Sequence, residues 1–199
     1  MIVVDLGCFP HRHEVSIEPL IERFRPDVLY GFDPWPDLVE GETRVGETRV
    51  ILERKAAWIE EGEIEFAQVR GLRAWDSTVM RDKDSRGEWS SSRSHEVVRV
   101  PAFDFSAWVA ALPEPPLVKM DVEGAEFPIL EHLVEKGTDS RVARLLVEWH
   151  DEKMPDYATR KERLLASLRC PVETWERAGG GPVRAALGLL PRSRIGTAG

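Results

Sequence analysis

An α/β fold with a mostly parallel sheet and helices on both faces is what this sequence predicts, on three observations. Short apolar runs alternate with segments of helical spacing along most of the chain, the pattern of successive βαβ units. The run that opens it, Ile2-Val3-Val4, ends in Asp5-Leu6-Gly7, so a buried strand passes into a turn. A later run, Leu117-Val118, ends in Lys119, Asp121, Glu123 and Glu126 around Gly124. Strand ends that lead into helices are where open α/β sheets bind ligands, and like charges crowded there cost energy unless something uses them.

Each element follows from local pattern. Val15, Ile17, Leu20, Ile21 and Phe24 lie on one side of a helix with charge on the other, and Pro26 stops it. Val28 to Phe32 is the second strand, ended by Asp33-Pro34. Next comes a tandem pentapeptide, Gly41 to Val45 repeated as Gly46 to Val50; two copies are too few for a solenoid. One strand is expected over Arg49 to Trp58. Ile64 to Val69 alternates, and Gly62-Glu63 predicts a turn that pairs these two strands as a hairpin. Arg70 to Glu96 is polar and irregular with Trp75 and Trp89 inside it, which points to a ligand-covering loop. Further strands are expected at Val97 to Val100, Leu117 to Val122, Ala143 to Trp149 and Val172 to Trp175. Helices are expected at Asp104 to Leu112, Ala125 to Glu135 and Tyr157 to Leu168; Pro128 falls in a first turn, where it is tolerated. Residues 1–178 read as a single domain and 179–199 as a Gly- and Arg-containing tail.

Composition narrows the function classes. A chain of 199 residues suits one domain with a good core. Its net charge of −8 argues against nonspecific nucleic-acid binding and against anionic membrane surfaces. No apolar run approaches the ~20 residues that span a bilayer. The opening residues form a strand pattern without a basic leader, so no secretory signal is expected and a cytoplasmic location fits. Cys8 and Cys170 are far apart and form no CxxC pair; buried thiols in a reducing compartment are expected, without a disulfide framework or a zinc site.

Three constellations carry chemistry. In the first, Gly7 after the opening strand lets backbone approach a ligand, and Asp33, one strand-helix-strand unit beyond Asp5, can accept hydrogen bonds from two ribose hydroxyls. The second is the charged strand end together with Glu148 and His150 at the end of the following strand. Neighbouring strand ends bring Asp121, Glu123, Glu148 and His150 together, where they suit either a divalent metal or the orientation and deprotonation of a hydroxyl. Glu126 reads as either part of this set or a solvent-facing helix residue. The third is Cys8, His11 and His13 in one turn; HxH spacing suits a metal, but no third ligand lies nearby, and contact with substrate or cofactor is the better reading.

With these residues in view, KMDVEGAEFPIL resembles the signature of the FkbM-type methyltransferases, S-adenosylmethionine-dependent enzymes with a Rossmann-like sheet. VVDLG is similar to their first cofactor motif and YGFDPWP to the acidic end of strand two. Lys55 to Trp58, KAAW, resembles the segment after strand three, while VRVPAFDF and LLVEWH resemble the elements on either side of the signature. The resemblance covers residues 1 to 150. It implies a Rossmann-like seven-stranded methyltransferase fold and O-methylation of a hydroxyl on a sugar or small metabolite. It also implies site roles: Asp5 and Gly7 line the methionine side of the cofactor, with Cys8 and His11 in the same turn; Asp33 holds the ribose; and Ala57 borders the adenine. Asp121, Glu123, Glu148 and His150 face the acceptor, with Asp121 or His150 as base.

The first motif departs from the family pattern, since Phe9 and Pro10 stand where small residues are usual. The chain also opens directly on strand one, so acceptor recognition is expected from residues 70–96, the tail or a partner subunit; a homo-oligomer is left open. These departures motivate a second reading, a methyltransferase-like binding or assembly module without strong catalysis. A metal-dependent enzyme using Asp121, Glu148 and His150 is a third; a divalent metal is left open but not predicted.

Overall fold

The structure, a computed structural model, describes residues 1–8, 16–69, 78–79, 95–150 and 156–175. Its centre is β1 (Ile2–Leu6), buried at every position. A strand buried at every position is covered on both faces. On one side β1 pairs in parallel with β2 (Val28–Phe32), which pairs in parallel with β4 (Thr48–Glu53). Beyond β4 lies β3 (Gly41–Val45), antiparallel to it. On the other side β1 pairs with β9 (Leu117–Met120), then come β10 (Arg144–Val147) and β11 (Val172–Thr174), all parallel. The seven-stranded order is β11-β10-β9-β1-β2-β4-β3, so the chain reverses its direction of winding between β1 and β9. The expected mixed α/β fold with a large, mostly parallel sheet flanked by helices is what forms.

Alternation along the strands divides the core between the two faces. Val3, Leu29, Val50, Leu117 and Leu146 pack under α1 (Ile17–Phe24), which buries Ile17 and Leu20. Val4, Leu6, Val118, Leu145 and Val147 face the opposite way, with buried residues of α2 (Phe105–Ala111), α3 (Glu126–Lys136) and α4 (Tyr157–Ser167). Pro19 and Pro128 each occupy the third position of a helix, where the missing N–H has no helical partner to lose. Asp104 caps α2 by accepting from Ala107 N at 3.0 Å.

Two expectations are corrected. The strand expected over Arg49 to Trp58 breaks at Arg54-Lys55 into β4 and a separate β5 (Ala56–Trp58). Here β5 belongs to a second sheet, of order β5-β8-β6-β7, with β6 at Gly62–Val69, β7 at Thr78–Val79 and β8 at His95–Asp104. The hairpin expected across Gly62-Glu63 does not form, because β8 lies between β5 and β6 and pairs with β6 from Gly62↔Ala102 to Val69↔His95. The pentapeptide repeat is itself structural. Its first copy is β3 and its second makes the turn and the start of β4, with Val45 opposite Thr48. Gly46, at φ +59, opens that two-residue turn, and glycine in the first central position suits the twist of a tight hairpin.

Among the described residues no helix is long and apolar enough to cross a membrane. The tail, residues 179–199, and most of 70–96 lie outside the described residues, so the expectations for them fall there too.

Candidate active site

The register of β1 against its neighbours builds the site. Asp5 lies opposite Gly31 on β2 and Lys119 on β9. Strand alternation puts Asp5 on the face of Val3, and Lys119 on the face of Leu117, towards α1. The two meet there: Lys119 Nζ is 3.2 Å from Asp5 Oδ1, 3.2 Å from Asp121 Oδ2 and 3.3 Å from the Gly7 carbonyl. Asp5 Oδ2 also accepts from the Ser16 hydroxyl at the start of α1. Burial raises the Asp5 pKa, with Lys119 and Ser16 opposing it. Burial alone would lower the pKa of Lys119, but the carboxylates of Asp121 and Asp5 outweigh it and the ammonium is held charged.

This places Asp5 differently from the expectation. It has no exposed surface, and its carboxylate is engaged by Ser16 and Lys119. It therefore braces the wall between α1 and the switch point instead of presenting oxygens to a ligand. Cys8 is also fully buried. Its sulfur fills the space that a side chain at position 31 would need, since a Cβ built on Gly31 lies 2.9 Å from Cys8 Sγ. Burial, then the Asp5 and Asp33 charges, push this thiol well above its ordinary pKa, so it serves as core. Ala57 is buried in β5. His11 lies outside the described residues, as do Phe9 and Pro10, which motivated the binding-module reading.

Gly7 does stand where a turn needs it. Its φ is +79, and a Cβ there would lie 1.8 Å from the Asp121 carbonyl oxygen. The turns after β1 and β9 thus touch backbone to backbone, tied by Asp121 N to Leu6 O at 3.0 Å. Asp33 is half-buried at the end of β2, with Oδ1 accepting from Trp35 N at 2.8 Å.

Beyond the ends of β9 and β10, three of the four residues expected to converge lie together. Asp121, Glu123 and His150 bring their ligand atoms within 4.8 Å of one another. His150 Nε2 is 3.3 Å from Glu123 Oε1 and 3.7 Å from Asp121 Oδ1. Two carboxylates and an imidazole form a donor set that suits a divalent cation. Glu148 is half-buried at the end of β10, its backbone N–H on the Met120 carbonyl at 2.9 Å, and is not a member of that trio. Glu123 has φ +55, a left-handed conformation that a glutamate rarely adopts.

Glu126 faces inward. It is fully buried and accepts from Val122 N at 3.2 Å and Gly124 N at 2.9 Å, with His150 Nδ1 2.8 Å from its Oε1. Burial disfavours a charged His150, but hydrogen bonds to Glu123 and Glu126 outweigh it and carry the pKa up to about 10.

Lys119 is the member that sequence reasoning left out of the site, and Glu126 the one that it left open. A lysine two residues from the end of an apolar strand was the available signal for the first. The partner of the second, His150, is a strand and a helix away in sequence, and only the fold shows it.

A mostly parallel sheet with its charged residues gathered where the winding reverses belongs to the α/β proteins that hold a ligand outside their strand ends. The chain matches the methyltransferase FkbM domain over residues 8–169 and belongs to that family, which indicates a methyltransferase. No curated protein and no solved structure matches it.

Proposed function

We propose that the chain is an S-adenosylmethionine-dependent O-methyltransferase with a Rossmann-like core, acting on a hydroxyl of a sugar or small metabolite. The observation that carries this reading is the joining of two half-sites at the β1/β9 switch point. One half ends in Gly7 and Asp33, the other in Asp121, Glu123 and His150. The residues fit the cofactor: a carboxylate at the end of β2 suits a ribose diol, and a turn without a side chain at Gly7 suits close backbone approach. Carboxylates around the cleft favour a cationic ligand.

When bound, the cofactor supplies a methyl group on a sulfonium for in-line displacement by oxygen. This chain's residues then orient the acceptor. Asp121 has the most exposed side chain of its trio, at 19%, so it is the carboxylate that accepts the acceptor's O–H. Lys119 fixes its other oxygen. Aligning the reacting groups contributes much of the rate in such a transfer, and Asp121 takes up the proton released as the C–O bond forms. His150, a donor, keeps the charge of Glu123 and Asp121 compensated. Transfer of a labelled methyl from S-adenosylmethionine to a panel of sugars and hydroxylated metabolites tests this. Labelled product is expected; a chain that neither binds the cofactor nor transfers the methyl sinks the reading.

The Asp121, Glu123 and His150 trio favours a second reading, in which a divalent cation at these donors binds the acceptor oxygen and lowers its pKa. Transfer unaffected by chelator and by added Mg2+ or Mn2+ removes it.

A further inference from the structure

We propose that Glu126 is a positioning residue of the acceptor half, acting through His150 by fixing which imidazole nitrogen faces Asp121 and Glu123. The inference rests on the cleft being the transfer site, but its test does not. Glu126 is 0% exposed and so touches no reactant. Each of its oxygens already accepts a backbone N–H, from Val122 to Oε1 and from Gly124 to Oε2. A carboxylate held in that way can only accept from the ring. The 2.8 Å contact therefore puts the proton on Nδ1 and turns Nε2 towards Glu123 at 3.3 Å and Asp121 at 3.7 Å. The other nitrogen facing the cleft would put the ring's contacts on different atoms.

The same carboxylate holds the turn between β9 and α3. Its two backbone donors flank Glu123, the residue at φ +55. One buried group thus sets both the ring and the strained glutamate that the ring meets. A carboxylate behind a functional imidazole, fixing its tautomer, is the arrangement by which buried partners tune the group that does meet a ligand.

The test is long-range 1H–15N spectroscopy of the full chain labelled at histidine, with His150 assigned by loss of its signals in His150→Asn. The expected result is a slowly exchanging Nδ1–H for His150. In Glu126→Gln the charge that holds the Nδ1 proton is gone and one backbone N–H loses its acceptor, so the Nδ1–H signal is expected to shift and to exchange faster. A residue that merely tied the turn together would leave the ring pattern unchanged. Affinity for S-adenosylhomocysteine is expected to stay within ~2-fold of wild type, since the cofactor half is untouched. An unprotonated Nδ1 in the wild-type spectrum overturns the proposal, as does a Glu126→Gln spectrum identical to wild type or a loss of cofactor affinity in that variant of ~10-fold or more. If Glu126→Gln fails to fold, the wild-type spectrum alone decides. A wild-type chain that binds no S-adenosylhomocysteine defeats the methyltransferase reading and leaves the Glu126–His150 assignment standing.

Discussion

Replacing Gly7 with alanine isolates the contact that joins the two half-sites. The residue sits at φ +79, and its new Cβ would lie 1.8 Å from the Asp121 carbonyl oxygen and 2.8 Å from the carbonyl carbon. Neither side can retreat freely, because Asp121 N is bonded to Leu6 O at 3.0 Å and Gly7 N to Phe32 O at 2.9 Å. The left-handed backbone costs an alanine ~1–2 kcal/mol, and overpacking against fixed atoms adds ~1–3 kcal/mol. A destabilisation of about 3 kcal/mol is a large share of the ~5–15 kcal/mol that holds a domain together. For a chain of this size it lowers Tm by ~6–12 °C. Gly46→Ala is the control: at φ +59 with nothing within 4 Å, it carries the backbone cost of ~1–2 kcal/mol alone. Thermal and urea unfolding of both variants, followed by circular dichroism, gives the difference. A Gly7→Ala protein no less stable than Gly46→Ala refutes the close approach of the two turns.

Other outcomes follow from the same geometry. Lys119→Met leaves the Asp5 carboxylate buried without its ammonium and is expected to cost ~3–5 kcal/mol in urea unfolding; adding Asp5→Asn should restore part of it, and strict additivity would contradict the pairing. Asp33→Asn is expected to weaken S-adenosylhomocysteine binding ~10–100-fold by calorimetry, the loss of a hydrogen bond to a charged group; unchanged affinity moves the ribose elsewhere. The His150 pKa rises from 6.5 unfolded to about 10 folded, so its stabilisation is complete below the unfolded value and fades as pH climbs between the two. Stability there should fall by up to about 1.4 kcal/mol per pH unit. His150→Asn should lack that decline, and parallel pH profiles would contradict the ion-pair geometry. Calorimetric titration of Mn2+ should show binding that Asp121→Asn abolishes if the divalent-cation reading holds; no heat with wild type removes it.

The parts of this fold legible in the sequence are those that local pattern determines. Val28 to Phe32 was bounded correctly because a continuous apolar run ended at Asp33-Pro34, and β1 and β9 were found because both are apolar runs closing on charge. The second sheet was not legible. Its β5 joins β8 across a long segment, and nothing in KAAW distinguishes a strand that continues from one that changes sheet. Asp5 shows the same limit within the site. Its position after an apolar run identified a polar strand end, but only the register against Lys119 reveals that its carboxylate is turned inward. Glu126 was ambiguous because an acid in a first helical turn is favoured by the helix dipole whether or not it is buried. Its inward role depends on His150, which the topology supplies.

Calorimetric titration of the wild-type chain with S-adenosylhomocysteine tests the central claim most directly, with Asp33→Asn alongside. One binding site per chain, weakened in the variant, is the predicted result. No binding at millimolar concentration, or binding that Asp33→Asn leaves untouched, would contradict a cofactor cleft at the β1/β9 switch point.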